Sequence, residues 1–169
     1  MPISLEHVSF TYMKGTPFEK TALHDVNLQI EKGEFVAVIG HTGSGKSTLV
    51  QHLSGLLHPQ KGSVCVDGVN LNAKKAAAKK ARNSVGMVFQ YPEHQLFEVD
   101  VFSDVCFGPK NQGLSKEDVE QRAREALTQV GLPERLWSQS PFELSGGQKR
   151  RVAIAGVLAM RPEVLILDG

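Results

Sequence analysis

The residues with the clearest capacity for chemistry lie in the stretch GHTGSGKST, Gly40 to Thr48. Its spacing, G-x-x-x-x-G-K-[ST], follows a predicted buried strand and precedes a predicted helix. Glycines let successive backbone N–H groups point at one anion, and a helix N-terminus adds its positive end. Lys46 contributes a point charge, and the Ser47 hydroxyl is a ligand that Mg²⁺ accepts. The stretch predicts a nucleoside triphosphate site formed by Gly40, His41, Thr42, Gly43, Ser44, Gly45, Lys46, Ser47 and Thr48.

A carboxylate at the other end of the chain fits the same chemistry. The last residues are EVLILDG, in which an apolar run leads directly to Asp168. A buried strand that ends in aspartate supplies a second Mg²⁺ contact in P-loop NTPases. Such a run by itself is common at the ends of strands. Together with the phosphate-binding stretch, it predicts Asp168 as a magnesium ligand.

A second pattern suited to anion binding is LSGGQ, which precedes a predicted helix. Ser145 is the predicted N-cap, and the two glycines after it allow a ligand to approach the backbone closely. Two phosphate-binding patterns with a single P-loop lysine predict a head-to-tail dimer, in which each nucleotide lies between two subunits. The alternative is an ordinary serine-capped helix. The residues of this pattern are Leu144, Ser145, Gly146, Gly147 and Gln148.

The first half of the chain supplies the elements that position the phosphate loop. Alternating apolar residues predict two antiparallel strands, LEHVSFTY with Val8, Phe10 and Tyr12 on one face, and ALHDVNLQI. The continuous apolar run FVAVIG predicts a central strand buried on both faces. Leucines at helical spacing in GKSTLVQHLSGLL predict a helix that begins at the phosphate loop.

The second half alternates helices with short strands. GSVCVDGVNL predicts a hairpin that turns at Asp67-Gly68. SVGMVFQ and EVLILD predict buried strands, and SKEDVEQRAREALTQVGLP predicts a helix with a capping box from Ser115 to Asp118. The helix predicted for NAKKAAAKKAR carries cations interleaved with alanine, which favours a solvated helix face over a nucleic-acid or lipid contact.

The composition excludes several classes of protein. The 169 residues have a formal net charge of +1, which provides no overall field to attract nucleic acid. Cys65 and Cys106 lack the spacing of a disulfide framework or a zinc site. No apolar run approaches the roughly 18 residues of a membrane span, and the N-terminus lacks signal-peptide character.

These motifs together resemble the ATP-binding cassette (ABC) ATPases. MVFQYPEHQLFE, DVCFGPKN and SPFELSGGQKRRVAIAGVLAMRPEVLILD are similar to the ATP-binding subunits of energy-coupling factor (ECF) transporters, importers of vitamins and transition-metal ions. The resemblance implies an α/β fold: a P-loop NTPase (RecA-like) core, an N-terminal antiparallel β subdomain and a helical signature subdomain. The core and β subdomain would take about 1–90 and 160–169, and the helical subdomain about 91–159.

The resemblance also implies ligands and partners. Tyr12 would stack on adenine, and Gln90 would contact Mg²⁺ or its water, so that the cofactors are ATP and Mg²⁺. The expected partners are a second ABC ATPase subunit, identical or paralogous, a transmembrane ECF coupling protein and a substrate-binding membrane component, but no nucleic acid. The expected location is the cytoplasmic face of the cell membrane.

The sequence departs from this family in two places. Val99-Asp100 stands where the family usually has Glu-Thr, in a segment expected near the membrane partner. Gly169 occupies the position of the glutamate that polarises the attacking water, so no catalytic base is assigned. The C-terminal part of the domain is expected to be missing. The alternative is a non-hydrolysing nucleotide-binding module. A DNA-repair cassette ATPase is disfavoured because no heptads separate the two phosphate patterns.

Overall fold

The computed structural model describes residues 2–74 and 76–168. These residues form six β-strands and five α-helices, which confirms the predicted α/β class. Contacts within the chain separate two compact units, the first ending at Val85 and the second beginning at Gly86. The subdomain limits given above stay a prediction.

The first unit contains an antiparallel sheet with the strand order β2-β1-β3-β4. It matches the predicted N-terminal β subdomain. Its last two strands form the predicted hairpin, since Asp67 and Gly68 both have positive φ, 52° and 73°, as a two-residue type I′ turn requires. The strands are β1 (Ile3–Tyr12), β2 (Lys20–Ile30), β3 (Lys61–Val66) and β4 (Val69–Asn70).

A β-bulge changes the face that β1 buries. Ile3, Leu5 and Val8 are all buried, although strict alternation would put Val8 on the opposite face from the other two. The register shifts between Leu5 and Val8, and His7 adopts φ 53° there. The bulge explains why the core face includes Ile3 and Leu5 as well as the predicted Val8.

The two helices of the first unit form where the sequence predicts them, but the predicted central strand does not form. Residues 34–40 contain no strand, and Phe35 and Ile39 are 95% and 92% exposed. The prediction for FVAVIG is therefore wrong for this structure. A strand needs a hydrogen-bonded neighbour, and within the described residues no strand pairs with this segment. The helices are α1 (Lys46–Leu53) and α2 (Ala76–Asn83).

The second unit packs three helices beside a two-stranded sheet. Its apolar core includes Val105, Leu127 and Val152, one from each helix. The two predicted strands form, as β5 and β6, and they pair with each other. Leu165 and Leu167 of β6 remain exposed, so burial of β6 on both faces is not observed. The elements are α3 (Val101–Asn111), α4 (Lys116–Gln129), α5 (Gly146–Ala159), β5 (Val85–Val88) and β6 (Val164–Leu167).

Both ends of α4 confirm the signals predicted for the start and the end of this helix. The Ser115 hydroxyl accepts a hydrogen bond from the Asp118 backbone N–H and donates one to the Asp118 carboxylate. Gly131 follows the helix with φ 67°, as a left-handed C-terminal residue does. Among the described residues, no helix is both long and apolar enough to cross a bilayer.

Candidate functional site

The phosphate loop turns directly into α1 through a close contact with β2. Gly45 is the N-cap of α1 and has φ 94°. A Cβ at this position would lie 2.4 Å from the Ala22 carbonyl oxygen. Only glycine combines this backbone conformation with such a close approach. The tight packing against β2 therefore fixes the position of the first turn of α1.

Lys46 places its charge at the mouth of the loop. Its Nζ donates hydrogen bonds to the carbonyl oxygens of Gly40 and His41, at 2.8 and 3.0 Å. The Ser44 N–H also donates to the His41 carbonyl, at 3.2 Å. The loop thus curls around an ammonium group held by neutral acceptors. A phosphate oxygen offers the same ammonium a stronger, charge-assisted bond.

The remaining loop residues differ in exposure. Thr48, in the first turn of α1, is buried, whereas Ser47 beside it is exposed. Lys46 and Gly45 are half-buried, and the exposed members are Gly40, His41, Thr42, Gly43 and Ser44. The loop and the start of α1 therefore present one open surface of polar groups.

The donor set of this loop fits a magnesium ion bound together with phosphate. No cluster of three or more His, Cys, Asp or Glu side chains that could hold a metal occurs in the part of the chain described. Mg²⁺ does not need such a cluster, because it is usually held by one or two protein ligands, substrate phosphates and water. The exposed Ser47 hydroxyl at the start of α1 is one suitable ligand.

Tyr12 lies at the end of β1 and is tied to α1. Its hydroxyl is 3.2 Å from the Thr48 hydroxyl oxygen, and its ring meets Phe10 edge to face with centroids 4.9 Å apart. The residue is 39% exposed. The phenol is thus anchored at one end while part of the ring faces solvent, as a stacking platform for a base requires.

Two residues near this site escaped the sequence analysis. Lys20 pairs with Tyr12 in the β1–β2 register, and its Nζ lies 3.7 Å from where a Cβ on Gly43 would stand. His52 is fully buried, and its Nδ1 bonds to the Thr48 carbonyl oxygen at 2.7 Å. The strand register could have indicated Lys20, but no local pattern distinguished His52.

The LSGGQ segment forms a capped and open helix start in the second unit. The Ser145 hydroxyl accepts from the Gln148 N–H at 3.4 Å, and the Gln148 side-chain oxygen accepts from the Ser145 N–H at 2.9 Å. Leu144 is buried and anchors the segment. A Cβ on Gly146 or Gly147 would have no atom within 4 Å. The backbone there is accessible to a ligand from outside the chain.

Gln90 and Asp168 follow paired strands of the second unit. Gln90 is exposed, and its carbonyl oxygen accepts from Arg150 Nη2 at 3.0 Å. The Asp168 N–H donates to the Val88 carbonyl oxygen at 2.9 Å, which brings the ends of β5 and β6 together. Their predicted magnesium roles stay predictions. Gly169, at the predicted position of the catalytic base, lies outside the described residues.

An apolar surface and a cavity lie elsewhere in the second unit. Phe97 and Phe107 meet edge to face with centroids 4.8 Å apart, and they are 56% and 41% exposed, next to Val99 at 80%. We call these three residues the aromatic patch. A cavity of about 460 Å³ lies beside the start of α5 and is lined by Glu93, His94, Leu96, Pro141, Phe142, Gly146 and Lys149.

Comparison with known proteins identifies a matching family and similar chains. The family model described as ABC transporter matches residues 23–169. The energy-coupling factor transporter ATP-binding protein EcfA2 of Caldanaerobacter subterraneus subsp. tengcongensis is 59% identical over 168 residues. That match covers 99% of this chain and 59% of the relative, so the chain spans little more than half the length of that protein.

Two solved structures also have a fold similar to that of this chain. CbiO1 from Clostridium perfringens, described as part of the ABC transporter complex cbiONQ, has a TM-score of 0.81 and 41% identity, covering 98% of this chain and 64% of that one. The ATP-binding cassette MJ0796, in a dimeric post-hydrolysis state bound to ADP and phosphate, has a TM-score of 0.86 and 34% identity. It covers 98% of this chain and 72% of the other.

Proposed function

Because the chain belongs to the ABC transporter family, we propose that it acts as the ATP-binding subunit of an energy-coupling factor importer. In this role it binds ATP and couples hydrolysis to the uptake of a vitamin or a transition-metal ion, at the cytoplasmic face of the membrane. The observation that carries the proposal is the Lys46 ammonium, held at the mouth of the glycine loop by the Gly40 and His41 carbonyls.

Residues of the first unit bind both the phosphates and the base of the nucleotide. Lys46 exchanges its two carbonyl acceptors for phosphate oxygens, and the loop N–H groups add donors around them. Tyr12 takes the adenine ring on its exposed side, while its hydroxyl stays against Thr48. The Lys20 ammonium beside Gly43 adds a second positive charge close to the phosphates.

A magnesium ion bound with ATP would be held by Ser47, with Gln90 and Asp168 as the further ligands inferred from the family resemblance. Bound there, such an ion would supply positive charge against the charge that develops on the phosphates during hydrolysis. The chain's own contribution is to present the exposed Ser47 hydroxyl from a helix start that Gly45 holds close to β2.

The signature segment completes the site of another subunit. Ser145 and the N–H groups of Gly146 and Gly147 bind phosphate oxygens of a nucleotide on the facing P-loop. The open space in front of both glycines supports this proposal, since nothing within the described chain fills it. The second ATPase subunit is an identical chain or a paralogue.

The membrane partners contact the aromatic patch. Phe97, Val99 and Phe107 expose apolar surface next to one another in sequence or in space, and contiguous apolar surface of this kind marks interaction sites. We assign the patch to the transmembrane coupling protein, which in turn holds the substrate-binding component. The transported solute is recognised by that component.

The proposal is tested by ATP binding to Lys46→Ala, measured by calorimetry with Mg²⁺ present. We expect a loss of at least about 100-fold, since the lysine and the loop act on the same phosphate oxygens. Lys79→Ala is the matched control, because Lys79 is an exposed lysine on α2, and it should bind ATP like the unaltered chain. Equal affinities for Lys46→Ala and the unaltered chain would contradict the assignment.

A further inference from the structure

Tyr12 is held in place by two side chains of different kinds. Its hydroxyl meets the Thr48 hydroxyl at 3.2 Å, and its ring is packed against the Phe10 ring at an interplanar angle of 83°. The first contact limits where the phenol end can move. The second limits rotation of the ring about its own axis. Both Phe10 and Thr48 are in turn held by one further residue.

That residue is His52. Its ring meets the Phe10 ring with centroids 4.9 Å apart and an interplanar angle of 70°. Its Nδ1 is 2.7 Å from the Thr48 carbonyl oxygen, one helical turn earlier. Tyr12, Phe10, His52 and Thr48 thus form a closed circuit of four contacts between β1 and α1. We call Phe10, Thr48 and His52 the Tyr12 support.

The chemistry of His52 is unusual for a core position. It is 0% exposed. A carbonyl oxygen only accepts, so Nδ1 carries the proton and donates it, which leaves Nε2 as an acceptor. Within the described residues, Nε2 has no hydrogen-bond partner. A buried polar atom without a partner costs stability, and an apolar ring of similar size would avoid that cost.

We propose that His52 is a positioning residue for nucleotide binding, which sets the plane of the Tyr12 ring through Phe10 and Thr48. The inference rests on the proposed function, because it takes Tyr12 as the surface on which adenine stacks. Histidine suits the position because one ring supplies both an aromatic edge for Phe10 and an N–H donor for the Thr48 carbonyl. His52 meets the Thr48 backbone carbonyl and the Phe10 ring, and among the described residues it contacts neither Lys46 nor a loop N–H group. Its effect should therefore fall on the base and not on the triphosphate.

Two substitutions separate the contacts of His52. His52→Phe keeps an aromatic edge against Phe10 and removes the donor to Thr48. His52→Asn keeps a donor near the position of Nδ1 and removes the ring. We expect each to weaken ATP binding by roughly 3- to 10-fold, less than the loss of a whole stacked base. Binding of inorganic tripolyphosphate, which has no base, should be unchanged in both.

Val50→Ala is the control for general damage to α1. Val50 is buried on the same helix, two positions from both Thr48 and His52, and so points to a different face. Its truncation should change ATP and tripolyphosphate binding by the same factor. Circular dichroism melts establish that each variant is folded at the temperature of the binding measurement. If His52→Phe does not fold, His52→Asn and Phe10→Leu test the Tyr12 support instead.

A double-mutant cycle with Tyr12→Ala tests whether His52 affects ATP binding through Tyr12. If His52 acts through Tyr12, adding His52→Phe to Tyr12→Ala should cause no further loss of ATP affinity. A further loss of the same size, or equal losses for ATP and tripolyphosphate, would overturn the inference and leave the nucleotide site intact. Failure of the proposed function looks different, because Lys46→Ala would then bind ATP as tightly as the unaltered chain. If only the stacking assignment is wrong, Tyr12→Ala would not weaken ATP binding, and the inference would fall with it.

Discussion

At the scale of single residues, Lys46 and Tyr12 contribute different things to the candidate site, a charge and an aromatic surface. Lys46 brings a full positive charge to the loop mouth, held by two carbonyl oxygens. Tyr12 brings an anchored aromatic ring, with its hydroxyl against Thr48. The two residues lie in one compact unit of the structure, and Tyr12 contacts Thr48, only two positions after Lys46. Substitutions at each should therefore affect different parts of the ligand.

Substitution of Tyr12 separates stacking from hydrogen bonding. Tyr12→Ala should weaken ATP binding by about 1–3 kcal/mol, the usual contribution of a stacked base. Tyr12→Phe keeps the ring and loses the contact of its hydroxyl with Thr48, so it should cost less than Tyr12→Ala and about as much as His52→Phe. Calorimetric titration with ATP measures both. Equal losses for the two variants would indicate that the hydroxyl, and not the ring, binds the nucleotide.

His52 should make stability depend on pH. Burial lowers the pKa of His52 from 6.5, and the nearby His58 side chain lowers it further. The backbone groups of Thr48 and His58 raise this pKa, but they offset the effect of burial only in part. Above pH 6.5 the residue is neutral in both the folded and the unfolded chain, so its contribution is complete. As the pH falls below 6.5, the unfolded chain takes up the proton first and the free energy of unfolding decreases.

The effect of pH is measured by comparing His52→Asn with the unaltered chain. Below pH 6.5 the unaltered chain should lose up to about 1.4 kcal/mol more per pH unit than the variant, the limit for one proton. The loss should level off once the pH is below the folded pKa. Urea unfolding at a series of pH values gives both curves. Parallel curves would show that His52 does not titrate differently in the folded chain.

At the scale of elements, the start of α1 depends on how closely it approaches β2. Gly45 sits where the loop becomes a helix, and the Ala22 carbonyl oxygen occupies the place of a side chain. The same contact fixes where α1 begins relative to β2. The position of a helix end is therefore set by backbone packing and not by a capping side chain, since Gly45 provides none.

Alanine at Gly45 should destabilise the fold strongly. Its Cβ would stand 2.4 Å from backbone, and φ 94° is costly for any residue with a side chain. Gly68→Ala is the matched control, because Gly68 also has a positive φ, 73°, but open space around it. We expect Gly45→Ala to cost about 1–3 kcal/mol more than Gly68→Ala in chemical unfolding. Equal costs would mean that backbone conformation alone explains both.

At the scale of the whole molecule, apolar surface and low net charge act together. Phe35 and Ile39 are almost fully exposed in the segment that forms no strand. The net charge of +1 provides little repulsion between copies. Exposed apolar surface with weak repulsion favours association.

This surface should be detectable in solution. The chain should bind the dye ANS and scatter more light as its concentration rises. The double substitution Phe35→Ser, Ile39→Ser should reduce both signals by removing the two most exposed apolar side chains of that segment. Phe18→Ser is the control, since Phe18 is also exposed but lies outside the segment. A reduction of the same size in the control would contradict the assignment to residues 34–40.

Local features were the ones that the sequence predicted well. Ser115 caps α4 through Asp118, and Ser145 caps α5 through Gln148. Asp67-Gly68 turns the β3–β4 hairpin. In each case the groups that interact are within a few positions of each other along the chain. Their residue types are therefore sufficient to specify the structure, and the loop of the candidate site belongs to the same class.

The sequence by itself determined the phosphate loop, the helix caps, the hairpin turn and the family, because these depend on short spacings. Only the tertiary structure decided which apolar runs are buried. FVAVIG has the composition of a buried strand, but burial requires neighbours, and Phe35 remains exposed. Only the tertiary structure brought His52 beside Phe10 and Lys20 beside Gly43. Those contacts depend on strand register and on the approach of α1 to β2, which involve residues far apart in the chain.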